Sequence, residues 1–267
     1  MKTIRGKKAL VTGAASGIGR AIALALAREG ADLFLVDIDA LNLEAVAREV
    51  NNSRSRVIVA VCDLSRSDQI TATVKACEAA FHGLDILVNC AGVVRHGLAE
   101  EATSEMWDAV MAVNLFAAIQ LVRELTPSLL KQPESHILNV CSVLGLIPAR
   151  KMMCYQTSKF ALVGFSMALR TEFSAHNVGV TALCPGLVDT PMLEMGPNWF
   201  RRSVSFGPLS LIVSAEAVAK SAIASILRNR ALSVVSLGAK LLWWAYRFSP
   251  PLVLWLFRRK PRASARR

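Results

Sequence analysis

A three-layer α/β/α domain built on a parallel sheet of about seven strands is what this sequence predicts, on three observations. Short β-branched or aliphatic runs alternate with longer stretches of helical periodicity from residue 7 to residue 228. No repeat, low-complexity segment or Pro/Ser/Gly linker divides residues 1–238. The chain has 267 residues, 53% of them hydrophobic, enough to bury one large core and too many for a disordered chain.

The elements follow in order. KKALVT reads as a strand and is followed by a helix from Gly17 to about Gly30. ADLFLVD precedes a helix through Leu41 and Glu49, and RVIVAVCD precedes one from Ser67 to Phe81. LDILVN leads into a long helix around Trp107 to Leu130, SHILNVCS into a helix from about Cys154 to His176, and VGVTALCP comes before a helix from Ala215 to Arg228. Strand and helix alternating in this way imply βαβ units with right-handed crossovers, hence a doubly wound sheet in a single domain. Seven strands is the economical count.

The net charge of +11 is unevenly placed. Arg247, Arg258, Arg259, Lys260, Arg262, Arg266 and Arg267 supply seven charges with no acid after Glu216, which leaves +4 on residues 1–246. A local excess argues against a nucleic-acid-reading face and for a surface met by the C-terminal segment. Cys62, Cys77, Cys90, Cys141, Cys154 and Cys184 show no CxxC or CxxH spacing and read as free, mainly buried thiols of a reducing compartment. No metal is expected: His82, His96, His136 and His176 make no ligand-spaced cluster and read as surface or helix-end polarity. The N-terminus meets turn glycines before any long apolar run, so no signal peptide is expected and the domain should stay cytoplasmic.

Two stretches point to chemistry. TGAASGIG closes the first strand, with Gly13, Gly17 and Gly19 at a strand-to-helix turn where backbone amides and the helix dipole favour a pyrophosphate. Asp37 ends the next strand at the distance expected of an acid that bonds ribose hydroxyls and repels a 2′-phosphate. Ser16 and Ile38 stand near that corner and bring no positive charge, so NAD is expected over NADP. Farther on, CYQTSKFAL puts Tyr155 and Lys159 one helical turn apart on one face, where the cation favours a phenolate able to exchange a proton with an alcohol.

The ordered set TGAASGIG, Asp37, the Asp63–Leu64 pair, NCAG at 89–92, Asn114, Ser142, Tyr155 with Lys159, and PGLVDT at 185–190 resembles a short-chain dehydrogenase/reductase from residue 5 to about 235. The resemblance implies a Rossmann-type doubly wound sheet and hydride transfer between a nicotinamide and an alcohol or ketone. Tyr155 would be the general acid/base and Lys159 would assist it and bind the nicotinamide ribose. Ser142 would hydrogen-bond the substrate oxygen, and Asn114 would hold a water linking Lys159 to solvent. Cofactor contacts would come from Gly13, Ser16, Gly17, Ile18, Gly19, Asp37, Asp63, Leu64, Asn89, Ala91, Gly92, Tyr155, Lys159, Pro185, Gly186, Val188 and Thr190. One departure is visible, Cys90 in place of the second asparagine of the usual NNAG.

The family's substrate-covering segment here reads MLEMGPNWFRRSVSFGPLSLIVS. Met192, Leu193, Trp199 and Phe200, with Val94, Leu144, Met152 and Met153, would make an apolar pocket suited to a lipophilic alcohol or ketone of steroid, retinoid or fatty-acyl kind. The opposing expectation is a non-catalytic dinucleotide-binding scaffold. Residues 239–267 form an extension to the catalytic domain of residues 1–238. LLWWAYRFSPPLVLWLF is too short to span a bilayer, contains Arg247, and is broken at Pro250–Pro251 into pieces of about Ala239 to Phe248 and Pro251 to Lys260. It is expected to lie in the plane of an anionic membrane on its cytoplasmic face, or alternatively to cover the pocket or a neighbour. A homo-oligomer, dimer or tetramer, is expected, with no nucleic acid.

Overall fold

A computed structural model describes residues 1–51, 55–190 and 212–257. The chain alternates as β1 (Lys8–Thr12), α1 (Gly17–Arg28), β2 (Asp32–Asp37), α2 (Ala40–Asn51), β3 (Val57–Val61), α3 (Ser67–Phe81) and β4 (Ile86–Asn89). It continues with α4 (Ser104–Met111), a π-helical turn (Ala112–Phe116), α5 (Ala117–Leu130), β5 (Ser135–Val140), α6 (Met153–Glu172) and β6 (Val178–Pro185). Two short strands, β7 (Leu187–Val188) and β8 (Ile212–Val213), pair in parallel with each other. Helix α7 (Ala215–Leu227), strand β9 (Leu232–Val235) and helices α8 (Leu237–Phe248) and α9 (Pro250–Phe257) follow.

Seven parallel strands form one sheet in the order β3-β2-β1-β4-β5-β6-β9. The strand missing from the alternating runs is β9, four residues paired along the edge of β6. Because both faces are covered, central strands are apolar throughout rather than alternating: Ala9, Leu10, Val11, Ile86, Leu87 and Val88 are all buried. One face packs on α1, α2 and α7, through residues such as Ile22, Leu26, Leu43 and Ile226. The other packs on α3 and α5, through Ile70, Val74, Leu121 and Leu125. A third cluster, on the same face beside α6, joins Leu162, Cys184 and Val234 to the inward side of α8.

The stretch Ser104–Leu130 is long and apolar enough by composition to cross a membrane. It is a core element instead: Leu121, Leu125 and Leu129 are buried against the sheet. The proline pair breaks the C-terminal segment where the side-chain chemistry requires. Ser249 ends α8 and Pro250 opens α9 at a position where its missing N–H costs nothing. All six cysteines are free thiols, five of them buried. Two histidines differ from the reading of surface polarity: His136 is fully buried in β5 and His96 is half-buried beside Tyr155, because strand and loop positions at a sheet's centre enclose them.

Candidate active site

The sheet order reverses direction at β1, whose neighbours are β2 on one side and β4 on the other. In open parallel sheets the crevice at the carboxyl ends of such strands is where ligands bind. Here it is a cleft of about 410 Å³ walled by Gly13, Ser16, Gly17, Ile18 and Gly19 after β1, Asp37 at the end of β2, Asp63 and Leu64 after β3, and Ala91 and Gly92 after β4.

Geometry makes the glycine turn specific to small residues. A Cβ on Gly19 would stand 1.9 Å from the Gly13 carbonyl oxygen, so α1 can begin this close to β1 only without a side chain there. Ser16 precedes α1 and makes no side-chain cap, so the helix N-terminus offers its first amides to a ligand. The Asp37 carboxylate accepts from the Ala15 amide at 2.9 Å and the Asp39 amide at 3.1 Å, which fixes it at the far rim. Two hydrogen bonds from Ser65, side chain and backbone, hold the Asp63 carboxyl below the usual carboxylate range. A dinucleotide pyrophosphate fits this cradle: donors at a helix start, no side chain in the way, and an acid at ribose distance from the turn.

The second cavity adjoins the first and shares Ile18 and Thr190 with it. Its walls bring together Ser142, Tyr155, Pro185, Gly186 and Val188, with Val94, Leu144 and Met152 supplying apolar surface. Ser142 caps a short 3₁₀ turn and accepts from the Leu144 amide at 3.1 Å, which pins its oxygen beside the cavity. Lys159 is buried; its ammonium donates to the Val140 carbonyl at 2.9 Å and lies 5.7 Å from the Tyr155 ring centre. A methyl on Gly92 would stand 3.3 Å from Asn114 Oδ1 and 3.6 Å from Lys159 Nζ, so cleft floor, amide and ammonium converge.

Asn114 sits in the π-helical turn, and its side-chain protons are both spent, on the Val93 carbonyl at 2.9 Å and Ser158 Oγ at 3.0 Å, while its Oδ1 accepts from the Val93 amide at 2.7 Å. Its side chain therefore ties the loop after β4 to α6. Asn89 is buried at the end of β4, where its amide donates to Asn139 at 2.9 Å, and it walls a small cavity that shares Leu64, Ala91 and Val113 with the cleft. Met153, the first residue of α6, is absent from the cavity wall that its neighbour Met152 reaches. Met192, Leu193, Trp199 and Phe200 lie outside the described residues.

The structure adds residues that sequence reasoning missed. Arg95 walls the cleft, and His96 walls the second cavity, where burial pushes its imidazole below the usual range. Their signal was position: both follow β4 at the carboxyl end of the sheet. Cys90, the departure from the usual motif, faces the cleft, where burial pushes its thiol up to about 12 against the opposing pull of Lys159. The shift favours the protonated thiol at neutral pH.

The family described as short chain dehydrogenase matches residues 7–199 of the chain. The chain is 34% identical over 218 residues to the 3-oxoacyl-[acyl-carrier-protein] reductase FabG of Thermotoga maritima, covering 81% of this chain and 89% of that protein. Among solved structures, the L-sorbose reductase of Gluconobacter frateurii, complexed with NADPH and L-sorbose, superposes with a TM-score of 0.82 at 29% identity, covering 89% of this chain and 98% of that one. The 3-ketoacyl-(acyl-carrier-protein) reductase of Brucella melitensis, complexed with NADH, gives 0.81 at 29% identity, covering 89% and 99%. With its seven-stranded parallel sheet and paired cavities, the chain belongs to the short-chain dehydrogenase family and is an oxidoreductase using a nicotinamide dinucleotide.

Proposed function

We propose that the protein is an NAD-preferring oxidoreductase that interconverts an alcohol and a ketone on a lipophilic molecule. The observation that carries this reading is the wall of the second cavity: Ile18, Val94, Leu144, Met152, Leu187 and Val188 surround Tyr155, and His96 is the one other ionisable side chain besides Cys141 and Tyr155 among the described residues there. A sugar or polyol would leave several hydroxyls facing hydrocarbon, each costing on the order of 1–3 kcal/mol unpaired. An acyl chain or fused-ring skeleton loses nothing by the same burial. Within this class, a 3-oxoacyl thioester deserves the first trial, since two relatives carry names that describe ketoacyl reduction.

Tyr155 and Ser142 flank the place where the substrate oxygen would sit. Ser142 donates its hydroxyl proton to that oxygen and orients it. In oxidation Tyr155 takes the hydroxyl proton, and in reduction it returns one. Negative charge left on the Tyr155 oxygen faces the Lys159 ammonium, held by Val140 in surroundings where burial strengthens the attraction. A bound nicotinamide supplies the hydride acceptor or donor. Preference for NAD follows from Asp37, whose fixed carboxylate would repel a 2′-phosphate.

The test is a spectrophotometric screen of long-chain secondary alcohols, sterols and 3-oxoacyl thioesters against polyols, each with NAD(H) and NADP(H). Lipophilic substrates should lead in kcat/KM, and Tyr155→Phe should lower kcat roughly 10²- to 10⁴-fold while leaving NADH affinity within about twofold. Faster turnover of polyols would refute the substrate class, and NADP-only turnover the role given to Asp37. NADH binding without turnover of any of these substrates, with Tyr155→Phe indistinguishable from the wild type, would restore the scaffold reading.

A further inference from the structure

Helix α8 has two apolar sides. Its inward side, Ala239 with Leu242, Trp243 and Tyr246, packs on the cluster formed by Cys141, Val143 and Cys184, so the helix is fastened to the domain. Its outward side carries Leu237, Leu241, Trp244 and Phe248, all exposed and spaced four, three and four residues apart, which is a single stripe along a helix. Trp244 stacks on Phe248 with ring centres 5.6 Å apart, so these rings are held rather than free. Beyond Ser249, α9 repeats the arrangement: Val253 is buried while Leu252, Leu254 and Trp255 are exposed. Residues 237–255 thereby hold seven of the fourteen large hydrophobic side chains exposed among the described residues, against seven scattered over the rest. Single exposed apolar side chains are ordinary, but a concentration of this kind marks a surface with a partner.

We propose that this outward face docks, in plane, on a bilayer containing anionic lipid. Charge selects the occupant. Lys240 and Arg247, seven residues apart and both exposed, run along one flank of the apolar stripe, where long cationic side chains can reach headgroups as the stripe enters the acyl region. Residues 258–267 read RRKPRASARR and add six cations, and no acid occurs after Glu216. A second copy placed on this face would set two such cationic sets together with no carboxylate in the segment to answer them. Anionic headgroups supply that answer, and tryptophan is the side chain that favours the water–lipid boundary. Helices of 12 and 8 residues are too short to cross a bilayer, for which about 20 are needed, so the contact is parallel to the surface.

The face has a fixed relation to the catalytic cavity. Helix α8 starts one residue after β9, whose last residue, Val235, accepts a hydrogen bond from the Gly186 amide at 3.2 Å. Gly186 walls the cavity, and Leu144, another wall residue, packs in the same cluster as Trp243. The docking face and the cavity therefore share the carboxyl end of the sheet. Adsorption needs no turnover, so this inference stands apart from the substrate assignment.

Flotation of the full-length protein with phosphatidylcholine vesicles, with and without phosphatidylglycerol, tests it. Strong binding to the anionic vesicles, weakened by salt, is expected. The double variant Leu241→Asp/Trp244→Asp should weaken it at least about tenfold, as should Gln at Lys240, Arg247, Arg258, Arg259, Lys260 and Arg262, with NADH binding retained as the measure of folding. For the wild type alone, brominated lipid should quench tryptophan fluorescence, a readout that requires no variant. The proposal falls if the wild type stays unbound and unquenched, or if the folded Asp variant floats like the wild type. It falls equally if light scattering shows that the Asp variant breaks an oligomer which itself ignores vesicles, for the face would then belong to a second copy.

Discussion

The cleft after β1 and the cavity beside Tyr155 touch at Ile18 and Thr190, yet they are built differently. The cleft is mostly backbone: a helix start, a carbonyl 1.9 Å from where a side chain of residue 19 would begin, and two carboxylates tied to amides. The cavity is mostly side chain, its walls drawn from interchangeable aliphatic residues that follow four different strands, β1, β4, β5 and β6. A site formed by backbone admits few sequences and serves one ligand, whereas one formed by side chains can change its ligand without changing the fold.

The contrast can be broken at its strongest point. Gly19→Ala should weaken NADH binding by more than about tenfold and lower the melting temperature, measured by fluorescence titration and thermal denaturation, because the added methyl must push α1 off β1. Unchanged affinity would mean that the turn is pliable and the contrast false. A smaller and more selective effect is expected across the shared wall. Leu144→Ala should raise KM for a lipophilic substrate roughly tenfold while the NADH dissociation constant stays within about twofold. Equal losses in both would show that the two cavities act as one.

The smallest effect lies away from both sites and appears only against pH. Thr181 Oγ1 donates to the Arg230 carbonyl at 2.5 Å, so it must accept from His136 Nε2 at 2.9 Å, which places the proton of a neutral imidazole on that nitrogen. Burial, helped by the N-terminal ammonium and Arg170, pushes His136 down to about 3 from 6.5. Above pH 6.5 folded and unfolded chains agree in the charge of this group. Between 6.5 and about 3 only the unfolded chain takes up the proton, so the stability this histidine contributes is lost as the solution is acidified. His136→Gln should therefore show a smaller fall in melting temperature from pH 7 to mildly acid solution than the wild type does. A parallel fall would mean that the ring is protonated in place.

Much of this was legible in the sequence, because alternation and glycine placement are local. Six of the seven strands of the main sheet stand out within apolar runs such as DLFLVD and HILNV, and the spacing of Tyr155 and Lys159 within one helix fixes their common face. What escaped was decided by tertiary neighbours. LSVV is too short and too polar to announce β9, and becomes a strand because β6 offers it an edge. His136 reads as surface polarity until β5 is known to lie at the centre of the sheet. MAVNLF carries no mark of a π turn, since the same letters would extend an ordinary helix.

That turn has a consequence for how the enzyme tolerates change. The Ala117 amide reaches back five residues to the Ala112 carbonyl, so the rod from Ser104 to Leu130 is two helices held out of phase by one residue. Asn114 meets Val93 and Ser158 from within that offset, while Leu121 and Leu125 keep their grip on the sheet. Loss of a single residue there would heal the rod and swing its leading half by about 100°. At this point the length of the chain, more than the identity of its letters, holds the catalytic parts in time with one another.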